Sequence, residues 1–135
     1  MKSQLFIRTI IVAMCFTNIP STVLADERSE FSAQKICKAA IAQIMGKNPK
    51  IISTSLRNND IVQLSYMREN DGTKWVYRCK IIDNIIIWAT ETGRWRDHPM
   101  DSKLTYKISD HMLQIEENYG DRTSTKSEFT FSELN

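Results

Sequence analysis

Residues 73–90, Thr-Lys-Trp-Val-Tyr-Arg-Cys-Lys-Ile-Ile-Asp-Asn-Ile-Ile-Ile-Trp-Ala-Thr, decide the fold. Trp75, Tyr77, Cys79 and Ile81 alternate with Lys74, Arg78 and Lys80, the period of two that marks a half-buried strand. Asp83-Asn84 reads as a two-residue hairpin loop, and Ile85 to Thr90 as the returning strand. With that loop, Ile82 faces Ile85, Ile81 faces Ile86 and Cys79 faces Trp88. Inward residues meet inward residues, as a half-buried sheet requires. Ile85, Ile87 and Ala89 are apolar on the opposite side as well, which implies a strand covered on both faces.

The same arithmetic works downstream. A turn at Asp110-His111 sets Ile108 opposite Leu113 and Tyr106 opposite Ile115. Upstream, Lys50 to Ser55 and Ile61 to Arg68 read as strands parted by Asn58-Asn59-Asp60, and Glu69 to Gly72 is the next turn. A last strand covers about Thr123 to Phe131, with Phe129 and Phe131 inward. Before Pro49 the period changes to 3.6. Cys37, Ala40, Ile41, Ile44 and Met45 form one apolar stripe. Ser29 or Ser32 can cap the start of this helix, Gly46 suits its end, and Pro49 stops it. The fold class is therefore α+β: one N-terminal helix packed on a curved antiparallel β-meander of about seven strands. Barrel and sandwich closure both remain compatible with the pattern.

Met1 to Ala25 reads as a secretory signal peptide, with basic Lys2 and Arg8, an apolar run from Thr9 to Phe16, and small residues before the cleavage point. Its removal leaves residues 26–135 as a single α+β domain. Cys15 departs with the leader, so Cys37 and Cys79 remain as a pair. In an oxidising compartment such a pair is most simply a disulfide. It closes a loop of about 43 residues, worth about 4 kcal/mol on the chain-entropy account. Both cysteines face inward, so the bond would staple helix to sheet.

Charge narrows the function. The whole chain carries 18 basic and 16 acidic residues. Lys2 and Arg8 are the surplus, so the mature chain is neutral overall. That removes the electrostatic basis for nucleic-acid binding. No segment after the leader is long and apolar enough to span a bilayer. The expected location is the periplasm or the medium.

One long irregular segment, Glu91 to Ser102, interrupts the short-looped meander. Long loops in compact domains often carry binding residues. Within it Arg94, Trp95, Arg96, Asp97 and His98 combine the residue types enriched at binding hot spots. A plainer alternative places Trp95 in the core and both arginines in water. Asp97, His98 and Asp101, with His111 at a distance, match no metal-ligand spacing, and no metal or cofactor is expected. No G-x-S-x-G, S-x-x-K or H-E-x-x-H sequence occurs, and no catalytic residue is assigned. Glu117 shares the parity of Ile115 and belongs at the sheet margin or in a cleft.

Three functions compete. The first is an exported non-enzymatic binding module acting through protein–protein contact, such as an inhibitor, an immunity-type protein or an envelope accessory protein. Its partner would be another protein in the cell envelope or outside the cell. In general pattern the chain is similar to small β-rich periplasmic inhibitor proteins, though no residues carry over from that class. The second is a carrier of a small apolar ligand between sheet and helix. The third is a hydrolase whose site is assembled only on folding.

Overall fold

The computed structural model describes residues 30–135, so the expected leader and the candidate cap Ser29 lie outside the described residues. Helix α1 (Ala33–Met45) begins at Ser32, whose hydroxyl accepts from the Lys35 amide at 3.4 Å. It ends at Gly46, which adopts φ 61°, a left-handed conformation that costs glycine little. Cys37, Ala40 and Ile41 are buried as the stripe requires, but so are Ile36, Ala39 and Ala42. Ile44 and Met45 are only half-buried. The buried arc is wider than the stripe because the sheet curls around the helix. Strands from both halves of the sheet touch it.

Those strands are β1 (Ser53–Asn58), β2 (Ile61–Met67), β3 (Lys74–Ile82), β4 (Ile85–Thr90), β5 (Lys103–Ser109), β6 (Met112–Asn118) and β7 (Ser124–Thr130). They form one antiparallel sheet in chain order, with β1 and β7 as its free edges. The helix packs on β1, β2 and β3 from one side and reaches β6 on the other. The registers inferred from the hairpin loops hold at every position tested. Ile82 pairs with Ile85, Ile81 with Ile86 and Cys79 with Trp88. Further on, Ile108 pairs with Leu113 and Tyr106 with Ile115. Asp110 and His111 both take positive φ, at 52° and 59°, as a type I′ hairpin turn demands.

The bounds of the first and last strands and one burial assignment differ from expectation. Pro49–Ile51 forms a 3-10 turn capped by Asn48, whose side chain accepts from the Lys50 amide at 3.0 Å. The first strand therefore starts at Ser53 instead of Lys50, and it runs on to Asn58 instead of ending at Ser55. Phe131 leaves β7 and opens a second 3-10 turn, Phe131–Leu134, fixed by reciprocal bonds between Thr130 and Glu133. Its ring packs edge-on against Phe31 at 6.1 Å, and Lys35 lies 4.2 Å above it. Trp75 has core parity yet is 38 % exposed. It sits at the turn end of the β2–β3 hairpin, where the Arg68 guanidinium covers it at 5.4 Å.

The disulfide joins Cys37 of α1 to Cys79 of β3, with Cα atoms 6.0 Å apart. Both residues are fully buried among Ile41, Leu64, Ile86, Leu113 and Ile115. The covalent link thus holds the helix to the middle of the sheet from inside the core.

Candidate functional site

Strands β3 and β4 share six register pairs, whereas β4 and β5 share only Ile85–Thr105 and Ile86–Leu104. Beyond Ile86 the two strands part, and residues 91–102 occupy the gap. The Arg96 amide donates to the Trp88 carbonyl at 2.8 Å, so the loop takes over as a partner for the exposed side of β4. Arg78 of β3 ties down the start of the loop. Its guanidinium donates to the Thr90 carbonyl at 3.1 Å and also to the Gly93 carbonyl. A Cβ at Gly93 would run into the Thr90 hydroxyl, which would have to turn away.

Asp101 closes the other end. Arg94 donates to both of its oxygens, at 2.7 and 2.8 Å, in the bidentate geometry that suits guanidinium and carboxylate. The His98 amide adds a third bond at 3.0 Å, and Arg96 stands 4.0 Å away. The Arg94 hydrogen bonds chiefly hold the Asp101 carboxyl well below the usual carboxylate range. The His98 amide and the charges of Arg94 and Arg96 act in the same direction, and partial burial opposes them. Arg94 is correspondingly raised, mainly by Asp101 and least by Asp97. His98 accepts from the Met100 amide through Nδ1 at 3.1 Å, which leaves Nε2 to carry the ring proton. Met100, at the tip, is 87 % exposed.

Side chains in the loop alternate as in a strand. Trp95 lies on the outer face of the sheet, half-buried, with Arg78 and Lys80 at 4.7 and 4.4 Å from its ring. It does not enter the core. Arg96 turns the other way and sits 5.4 Å over Trp88. Arg94, Arg96, Asp97 and His98 are all exposed, and three of them are gathered by Asp101 or placed beside its pair with Arg94. Among the described residues no group of three or more His, Cys, Asp or Glu side chains converges on a metal position. Asp101 is engaged as the carboxylate of an ion pair. His111 lies elsewhere, at the β5–β6 turn, with Nδ1 3.2 Å from a Glu30 oxygen.

A cavity of about 290 Å³ lies where β4 and β5 part, under the loop, with Ile85 and Ile87 on its floor and Arg96, Asp97, Pro99, Asp101 and Lys103 around its rim. Ser102, also on the rim, donates to Glu117 at 2.5 Å, and Tyr119 donates to the other Glu117 oxygen at 3.1 Å. Sequence reasoning placed Glu117 at a margin or in a cleft but did not link it to Ser102. Only the β5–β6 register, which sets Leu104 opposite Glu117, brings the two together.

No known protein family, curated protein or solved structure matches the chain. No helix among the described residues is long and apolar enough to cross a membrane.

Proposed function

We propose that this protein is a small exported binding module, periplasmic or secreted, that acts without catalysis by contact with another protein. The contact surface is the loop carrying Arg94, Trp95, Arg96, Asp97 and His98. The observation behind this reading is the bidentate Arg94–Asp101 pair, which holds an irregular loop in one shape. Ordering a flexible loop on binding costs affinity, so a loop ordered in advance retains more of its contact energy. Trp and Arg are also the residue types that most often dominate such interfaces. The buried disulfide fits an oxidising compartment outside the cytosol.

The test is site-specific photo-crosslinking in the native host from position 100, at the exposed loop tip, followed by recovery of conjugates. The expected result is one enriched partner protein that is lost from the Trp95→Ala form. Equal recovery of that partner by both forms would remove the loop from consideration. The cavity favours a second reading, carriage of a small ligand. At about 290 Å³ it lies at the small end of ligand sites, and its floor is apolar. Native mass spectrometry of host-purified protein decides this reading, and a bare polypeptide mass would exclude it.

A further inference from the structure

The outer face of the sheet carries a charge pattern that the overall neutrality of the chain conceals. None of the five strands β1 to β5 contains an aspartate or glutamate. The registers that bury Tyr77, Cys79, Ile86 and Leu104 point Arg78 and Lys80 of β3 outward, together with Lys103 and Lys107 of β5. Between those two cationic rows β4 contributes only Ile85, Ile87 and Ala89, of which Ile87 and Ala89 are buried. Acidic side chains return to this face at Glu116 of β6 and Glu128 of β7. Among the described residues no carboxylate lies within ion-pair distance of Arg78, Lys80, Lys103 or Lys107. Arg78 and Lys80 are held against Trp95, which keeps their charge at the surface and fixes its position.

The geometry describes what would fit. At the level of Lys80 and Ile87 the β4–β5 pairing has already ended. Ile87 is paired with Lys80 and is 8 % exposed, so it lies below the level of the cations. The cavity opens beside it, with Lys103 and Arg96 on the rim together with Asp97 and with Asp101, whose charge Arg94 already meets. Its volume suits one large apolar side chain.

Resting on the binding reading above, we infer that the partner presents an acidic amphipathic segment to this face. An apolar anchor of that segment fills the cavity over Ile85 and Ile87, and its flanking carboxylates meet Lys80 on one side and Lys103 on the other. A bare polyanion gives the apolar floor of the cavity nothing to bind. A membrane surface cannot lower acyl chains onto residues recessed beneath lysines. A protein segment satisfies both features.

The experiment uses the protein purified from its host. Probes are a labelled Glu/Asp-rich peptide with one central Phe, its Phe→Ala form, and a Lys-for-acid form. Vesicles containing phosphatidylglycerol and a single-stranded DNA oligonucleotide complete the set. The acidic Phe peptide is expected to bind. Affinity should fall at least about tenfold in Lys80→Glu/Lys103→Glu, and clearly with added salt and on Phe→Ala. The wild-type salt response keeps the test valid if the double variant folds poorly. Several results would overturn the inference: no peptide binding up to about 1 mM, equal binding of the basic peptide, or preference for vesicles or DNA. Crosslinking separates this failure from failure of the loop reading. If Trp95→Ala loses the captured partner and Lys80→Glu/Lys103→Glu keeps it, the loop stands and the acidic segment falls. If neither variant loses it, both fall.

Discussion

The β3–β4 hairpin and the β4–β5 junction share a strand yet are held by different forces. The first has a continuous ladder, a two-residue turn and a buried disulfide at Cys79. The second has two register pairs, after which side chains replace the ladder: Arg78 on Thr90 and Gly93, and Arg94 on Asp101. The hairpin rests on a repeated pattern of inward and outward side chains that several residue types can meet. The junction depends on a handful of named residues. It is also where the exposed Arg, Trp and His side chains collect.

The largest expected effect tests the hairpin side. Cys37→Ser should lower stability by about 4 kcal/mol, measured by chemical denaturation, and leave the loop geometry unchanged. A loss well under about 1 kcal/mol would mean that the core alone holds α1 on the sheet. Gly93→Ala comes next. Its added methyl meets the Thr90 hydroxyl and pushes the Gly93 carbonyl from Arg78, at a cost of about 1–3 kcal/mol. A wild-type melting temperature for this variant would show that the loop start is looser than described.

Asp101→Asn addresses the junction through order more than stability. It removes the charge that Arg94 and Arg96 face. The His98 amide should shift in NMR spectra while the β3–β4 amides stay in place. Acid should do the same in the wild type. Because the folded carboxyl titrates below its ordinary 3.8, the contribution of Asp101 is complete above that pH and fades as pH falls beneath it. The Asp101 carboxyl carbon should therefore hold its chemical shift from neutral pH to about 4.5 and move only in stronger acid. A midpoint at the ordinary 3.8 or above would contradict this. The smallest effect on stability belongs to Trp95→Ala, about 0.5–1 kcal/mol for contacts to two partly solvated cations. Its effect on partner capture should be far larger, and that contrast marks a side chain kept for contact with a partner.

Much of the hairpin side was legible in the sequence. Alternation in residues 73–90 and a two-residue turn fix the register by counting, and Cys37 in the helical stripe places its sulfur against Cys79. The helix ends followed from Ser32, Gly46 and Pro49. The errors came where local bonds override alternation. Asn48 and Pro49 wind residues 49–51 into a turn, and the Thr130–Glu133 pairing does the same to Phe131. The junction was legible only as a list. Arg94, Trp95, Arg96, Asp97 and His98 could be singled out by type. That Asp101 gathers Arg94, Arg96 and the His98 amide depends on a side-chain pair spanning the loop, which no periodicity encodes. Likewise Trp95 extends the alternation, but on the outer face, because β4 lacks a β5 partner at that level and the loop supplies one.

Hydrogen exchange at the Arg96 amide tests most directly whether residues 91–102 are a built part of the sheet. That amide is bonded to the Trp88 carbonyl, and nothing but the fold of the loop keeps it there. Protection comparable to that of the β4 amides is expected in the wild type, with selective loss in Asp101→Asn. Exchange of Arg96 at the rate of a free peptide, in the intact protein at neutral pH, would contradict it.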